Sequence, residues 1–369
     1  MASATRLPLK SIIFTTAVVA AAGVSHVNIH KLLVDTFTGP GSYSRIAATV
    51  IVLANLKSLP GVWHFRVWNA ILKHLIFTTP NIPSNLGPAS LFLPTITTSH
   101  APLWECDYNL HKSNSTYFSD LDVTRSHIIC CLLEPGIHAL QKNTSNKLVL
   151  DKEGNAVKGR WGIMLGGVMC NFKREIGIYQ QYEMWSRILC WDRKWIYVVT
   201  HFVKKGTVRP RGFVLSDGSW FGGRNAKFEE VEGEGEGKAD QKDIELDEKA
   251  IFASAVSKYV MKLGRLTVHP EVVLNASGLL PERPGGWHSM DNSGASTPEM
   301  EESFVDAKVE EEDEVKEVEN EANQWDWKRV EGENKRGLQY AEHFAAMEGL
   351  HQEFSGSREP ALGKYRDLL

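Results

Sequence analysis

A short polar segment carries the side chains best suited to acid–base chemistry. It runs from Asp107 through Asn109 to His111, and Asn114 and Ser115 follow within four residues. A carboxylate can act as a general base or a nucleophile, and an imidazole or an amide can orient it or a water molecule. Polar residues at this density favour turns and helix caps. The alternative interpretation is an ordinary helix-entry carboxylate at Asp107 and a capping or surface group at His111.

A long apolar stripe follows the segment and predicts the element that must position it. Its residues recur at spacings of four and three: Tyr117, Leu121, Thr124, Ile128 and Leu132. Such a stripe is typical of a helix that is buried against a sheet. We expect Asn114, Ser115 or Thr116 to cap this helix and Pro135-Gly136 to end it. The free N–H groups and positive dipole at the helix start would favour an oxyanion.

The order of these residues resembles a known family. Asp107-x-Asn109-x-His111-x-x-Asn114-x-x-Tyr117, followed by Asp122 and Arg125, is similar to the loop and central-helix start of hot-dog-fold thioesterases, the superfamily of 4-hydroxybenzoyl-CoA thioesterase and plant acyl-ACP thioesterases. Within it, the chain resembles most the membrane-associated thioesterase-like proteins of animals and fungi. The resemblance extends over residues 83–284 with one insertion. It implies an α+β fold in which an antiparallel sheet of five or six strands wraps around one helix.

The resemblance also implies roles for single residues. Asp107 would be the general base or nucleophile, and Asn109 and His111 would orient it or the attacking water. The oxyanion or the substrate would be held near Asn114, Ser115 and Tyr117. The implied substrate is an acyl thioester of coenzyme A or of acyl carrier protein, and no cofactor or metal is implied. Two copies of such a fold usually pair their sheets around the acyl tunnel, which implies a homodimer.

Some residues depart from the family pattern or fit other roles. Lys112-Ser113 replaces small or apolar residues, and the sequence assigns no second acidic residue as a partner from another strand. Tyr117 and Arg125 also fit structural roles, the latter by pairing with Asp122 or with a neighbouring subunit. The alternative function is therefore a catalytically inactive hot-dog protein that binds acyl chains or acts as a membrane-associated scaffold.

Strand patterns precede and follow the predicted helix. We place the first strand near 103–106 and a hairpin over 181–191 and 195–203, where apolar and polar residues alternate. The apolar run 163–173 contains Gly166-Gly167, which predicts a bulge or the close approach of a ligand or the central helix. Residues 251–262 would suit a helix by composition, but the hot-dog topology makes them the last strand.

Charge divides the chain into regions. Residues 229–249 carry ten acids and three lysines, residues 298–321 carry twelve acids and two lysines, and the net charge is −4. The remaining chain is therefore basic, which favours anionic lipid headgroups or a phosphate-bearing ligand such as coenzyme A. The alternative is that the chain's own acidic stretches balance this basic surface. Nucleic acid is not indicated, because the basic residues are dispersed and no nucleic-acid motif accompanies them.

These patterns predict four regions. Residues 1–79 form a membrane-anchoring helical segment, with a short apolar run at 11–27 and an amphipathic stretch at 62–77. Cleavage of the first run as a signal peptide is the alternative. Residues 80–284 form the hot-dog domain with a disordered acidic insertion at 229–249, and residues 285–323 form a disordered acidic linker. Residues 324–369 contain an amphipathic helix from about Gly337 to Phe354, which would dock on the hot-dog domain or, alternatively, on a partner or a membrane. The expected location is the endoplasmic reticulum or another internal membrane.

Overall fold

The computed structural model describes residues 28–77, 80, 82, 86–210, 213–215, 248–288, 325–347 and 349–350. The apolar run 11–27 and most of the two acidic stretches lie outside these residues. The chain divides into two compact units, residues 1–62 with 102–104, and residues 63–101 with 105–369. No helix within the described ranges is long and apolar enough to cross a bilayer.

The N-terminal unit contains a helical hairpin formed by α1 (Ile29–Phe37) and α2 (Ser42–Ala54). Arg45 fixes the turn between them, because its guanidinium donates to the carbonyl oxygens of Thr36, Thr38 and Pro40 at 3.2, 3.0 and 3.1 Å. None of the α2 residues is buried. The turn of the hairpin is therefore well defined, and many of its apolar side chains remain exposed.

The second unit contains most of the remaining elements. Its helices are α3 (Val62–Leu72, of which Val62 belongs to the first unit, continued by a π-helical turn Lys73–Phe77), α4 (Gly87–Ser90), α5 (Asn114–Gln141), α6 (Asn143–Asn146), α7 (Pro270–Ala276) and α8 (Trp327–Ala346). Its strands are β1 (Thr95–His100), β2 (Trp161–Phe172), β3 (Gln181–Trp191), β4 (Trp195–Lys204), β5 (Ile251–Leu263) and β6 (Leu266–Val268).

The strands form one antiparallel sheet in the order β1-β3-β4-β5-β2, with β6 paired to β5. Helix α5 lies on one face, and its apolar residues pack into the same buried clusters as the inward-facing residues of the strands. This arrangement of a sheet around one long helix is the hot-dog fold, so the α+β fold expected from the resemblance is confirmed.

Helix α5 differs from the prediction at both ends. Ser113 is its N-cap residue, one position earlier than expected, and makes no side-chain capping bond. The helix also continues through Pro135-Gly136 to Gln141, so the predicted end was wrong. The continuation is stabilised by burial of the following turn and by the Gly136 N–H, which donates to the Ser277 hydroxyl of the segment after α7 at 3.1 Å. A Cβ at Gly136 would lie 2.4 Å from the Val273 carbonyl oxygen, so glycine permits this close packing.

The hairpin of β3 and β4 and the assignment of 251–262 to a strand are confirmed. The first strand was misplaced: β1 covers Thr95–His100, whereas Leu103–Glu105 form a 3₁₀ turn. The bulge is confirmed between Leu165 and Gly167, but the ring that approaches Gly166 belongs to Trp195 and not to the central helix.

Helix α8 covers part of the other face of the sheet. It begins at Trp327, ten residues before the predicted start, with Asp326 as its N-cap. The Asn334 amide bonds the N–H and carbonyl of Trp191 at 2.7 and 3.1 Å. Its Ala341 and Phe344 pack with Leu189, Cys190, Tyr197 and Val199 of the sheet. The helix is therefore part of the folded domain.

Candidate active site

Asp107, Asn109 and His111 lie together on a tight turn that leads into α5. The Asp107 N–H donates to the His111 carbonyl at 2.9 Å, and the Leu110 N–H donates to the Asp107 carbonyl at 3.0 Å. The Asp107 carboxylate accepts from the Asn109 N–H at 2.9 Å, and Leu110 adopts a positive φ of 62°. We call residues 107–111 the loop. Tyr108, Asn109 and Leu110 are exposed at its tip, so solvent or a ligand reaches it.

His111 has an acidic partner that the sequence did not reveal. Its Nε2 lies 3.0 Å from the Glu175 carboxylate in the connection between β2 and β3. The contact is open to solvent, because the His111 and Glu175 side chains are 38 % and 72 % exposed. In this arrangement Nε2 of the imidazole faces Glu175. Sequence spacing could not identify this contact, since 64 residues separate the two positions.

The predicted oxyanion residues fall into two groups. Asn114 and Ser115 are exposed in the first turn of α5, where N–H groups have no intrahelical acceptor. Tyr117 instead points into the core, with its ring centroid 5.0 Å from that of Phe172 and 4.8 Å from that of Phe202. Burial raises the pKa of Tyr117. The structure thus brings Asn114 and Ser115 to the surface beside the loop and leaves Tyr117 with core packing.

A group of buried charged residues lies beneath the loop. The Lys112 ammonium is 2.6 Å from the Glu105 carboxylate and 2.8 Å from that of Asp120, and the lysine side chain is 0 % exposed. Asp120 also accepts from Arg66 of α3 at 2.7 Å and from the Tyr182 hydroxyl. We call these five residues the ionic cluster. Only Lys112 had been singled out, as a departure from the family pattern.

Burial affects the titration of Tyr182 in the ionic cluster. Burial first and the Asp120 charge second raise the pKa of Tyr182 well above its ordinary value. Its phenol therefore stays a hydrogen-bond donor to Asp120. The neighbouring Cys106 thiol also has a raised pKa because of burial. Since the thiolate is the reactive form of cysteine, Cys106 is a poor nucleophile here.

Arg125 is buried on α5 away from the loop. Its guanidinium donates to the Ser257 hydroxyl at 2.8 Å and to Asp122, which confirms the expected pairing with Asp122. The contact between Arg125 and Ser257 joins α5 to β5. Groups of histidine, cysteine, aspartate and glutamate that could hold a metal ion do not occur among the described residues.

The chain matches known proteins over most of its length. Residues 101–232 match the model of the thioesterase-like superfamily. The "Probable thioesterase atnL" of Emericella nidulans is 32 % identical over 350 residues, which are 93 % of this chain and 94 % of that protein. The "Thioesterase poxG" of Penicillium oxalicum is 33 % identical over 320 residues, 86 % of this chain and 88 % of that one.

Among solved structures, a gentisyl-coenzyme A thioesterase matches with a TM-score of 0.28 and 13 % identity, over 50 % of this chain and 99 % of that one. The YbaW probable thioesterase of Escherichia coli matches with a TM-score of 0.28 and 10 % identity, over 50 % of this chain and 96 % of that one.

Proposed function

The chain belongs to the thioesterase-like superfamily, and from this we propose that it hydrolyses an acyl thioester with Asp107 as the general base or nucleophile. The fungal relatives that carry the name thioesterase support this activity. The observation that carries it is the loop itself. A carboxylate, an amide and an imidazole share one five-residue turn, directly before the N-terminus of a 28-residue helix.

The chemistry follows from that placement. In the general-base route, a water molecule attacks the carbonyl carbon of the thioester while the Asp107 carboxylate takes its proton. The carbonyl oxygen becomes an oxyanion near the first-turn N–H groups of α5, where the helix dipole favours negative charge. The intermediate then breaks the C–S bond, and the thiolate leaves and is protonated. In the nucleophile route, the carboxylate attacks instead and water hydrolyses the resulting anhydride.

The test is release of free thiol by the purified full chain over a panel of acyl-CoA lengths, beside the Asp107→Asn variant prepared in the same way. We expect turnover with the wild type and a loss of about 10³-fold in the variant, which is about 4 kcal/mol of transition-state stabilisation. Acyl-CoA binding without turnover in either protein would favour the alternative, an acyl-binding or scaffold protein.

A phosphate-bearing carrier is supported by the charge at the loop end of the sheet. Because the strands are antiparallel, the last residues of β2 and β4 and the first residues of β3 and β5 lie at the same end of the sheet as the loop. The exposed basic residues at these strand ends are Lys173, Arg174, Lys204, Lys205 and Lys249. We propose that these five basic residues attract coenzyme A or the phosphopantetheine of a carrier protein. The KM for acyl-CoA should then rise with ionic strength, and rise less in a Lys204→Ala, Lys205→Ala variant.

A homodimer is supported by β2, which lies at one edge of the sheet that the described strands form. This strand spans twelve residues without a charged side chain and exposes Met164, Leu165 and Met169. Long uncharged edge strands are templates for pairing with another chain. We propose that two copies pair through β2. Light scattering should give twice the chain mass, and Met169→Asp should shift it towards the monomer.

Contact with a membrane surface is supported by the α1–α2 hairpin. Its exposed apolar residues are Leu32, Leu33, Val34, Phe37, Val50, Ile51, Val52 and Leu53. Asp35 is the single acid among residues 28–54, beside Lys31 and Arg45. We propose that the hairpin binds in the interface of an internal membrane such as the endoplasmic reticulum, near which the thioesterase acts.

Vesicle flotation tests the membrane proposal. The wild type should bind vesicles, with stronger binding as anionic lipid is added, and Val50→Ser, Leu53→Ser should weaken binding. Tyr340→Ser is the control, because Tyr340 is equally exposed but lies on α8. Equal binding by all three proteins would contradict a role for the hairpin.

A further inference from the structure

The ionic cluster adjoins the loop in the chain and in the fold. Lys112 connects the ionic cluster to the loop, since it directly follows His111 in the chain. Its backbone N–H donates to the Ile176 carbonyl at 2.8 Å, and it forms a β-bridge with Cys106 across the base of the loop. The two ends of the loop are therefore joined at the bridge between Cys106 and Lys112.

The side chain of Lys112 sets that position. Its ammonium is held between Glu105, which precedes the loop, and Asp120, which lies on α5. Tyr117 and Tyr182 add their rings, with centroids 5.3 and 5.5 Å from the ammonium. A long flexible side chain would otherwise sample many rotamers, but here its end is fixed to the helix.

The rest of the ionic cluster keeps Asp120 in place. Arg66 and Tyr182 bind the same carboxylate from α3 and β3. The two cations and two carboxylates of the cluster balance in charge. Buried ion pairs contribute little net stability compared with apolar packing, so stability alone does not account for this arrangement.

We infer that Lys112 is the positioning residue of the loop, holding Asp107 and His111 in register with the N-terminus of α5 through its contact with Asp120. This rests on the proposed thioesterase function. A displacement of about 1 Å at a reacting group costs about 100-fold in rate, so loss of the contact should lower kcat more than it changes KM.

Three variants separate positioning from charge neutralisation. Lys112→Met removes the positioning contact and leaves one carboxylate in excess. Lys112→Met with Glu105→Gln also removes it but restores the charge balance. Arg66→Met removes the other cation of the ionic cluster and leaves Lys112 in place. If the single lysine variant does not fold, the charge-balanced double variant carries the test.

We expect Lys112→Met to lower kcat by about 10- to 100-fold with KM within about twofold, and to lower the unfolding midpoint. The double variant should recover the midpoint but keep the low kcat. Arg66→Met should lower the midpoint while kcat stays within about threefold. Recovery of kcat in the double variant, or an equal kcat loss in Arg66→Met, would overturn the inference.

Hydrogen exchange provides a readout that does not depend on activity. The amides of residues 106–112 should exchange faster in both lysine variants than in the wild type or in Arg66→Met. If the wild type hydrolyses no thioester but this pattern holds, positioning by Lys112 stands and the proposed function fails. Wild-type exchange in the double variant would overturn the positioning role.

Discussion

The loop and the ionic cluster are adjacent in the chain but differ in their surroundings. The loop places Asp107, Asn109 and His111 where solvent can reach them, and its short-range hydrogen bonds stay within residues 107–111. The ionic cluster draws its charged groups from α3, α5 and the residues on both sides of the loop, and β3 adds a hydroxyl. This difference matches the division of roles that we propose, with the chemistry on the exposed loop and its positioning in the buried contacts of the ionic cluster.

The largest effect should come from the shared carboxylate of the ionic cluster. Asp120→Asn leaves Arg66 and Lys112 facing one remaining carboxylate. Breaking a buried ion pair in this way costs about 3–5 kcal/mol in the free energy of unfolding. Urea denaturation measures it, with the exposed Glu153→Gln as the control. A loss below about 1 kcal/mol would mean that the ionic cluster is not a structural anchor.

For His111 on the loop we expect the opposite, a large loss of activity with little loss of stability. His111→Ala should lower kcat by about 100-fold, or about 2.7 kcal/mol, because the group that orients the carboxylate or water is lost. The free energy of unfolding should change by less than about 0.5 kcal/mol, since the side chain is partly exposed. His138→Ala near the far end of α5 is the matched control. Full activity in His111→Ala would remove the histidine from the mechanism.

The smallest expected effect is on the free energy of unfolding when a single tyrosine hydroxyl is removed. Tyr182→Phe removes the buried hydroxyl that donates to Asp120 and should cost about 1–1.5 kcal/mol of unfolding free energy. Tyr108→Phe changes the same group at the exposed tip of the loop and should cost nothing measurable. Thermal or urea unfolding of both variants measures the difference. Equal costs would contradict the distinction between the two regions.

The sequence predicted the loop but not its support. Asp107, Asn109 and His111 lie close together in the chain, and their side chains are of the types that suit acid–base chemistry. Glu175 and Asp120 gain their roles only through contacts across the fold, and a single carboxylate in a chain with 45 acids carries no local signal. Lys112 was visible as a departure from the family pattern, yet its meaning depended on the carboxylates around it.

The same distinction holds for the fold. The β3–β4 hairpin was predictable because alternation is a local pattern, and β5 because the resemblance supplied its topology. The end of α5 was not predictable, because the bond from Gly136 to Ser277 and the packing on α7 connect residues 141 positions apart. β1 was missed because its run of threonine and serine hides the alternation.

Turnover and unfolding measured together on Asp107→Asn test whether the loop carries the chemistry. We expect thiol release from acyl-CoA to fall by about 10³-fold while the urea midpoint remains that of the wild type. Asp120→Asn, measured in parallel, should lose stability. Wild-type turnover in a folded Asp107→Asn protein would contradict the assignment of the chemistry to the loop.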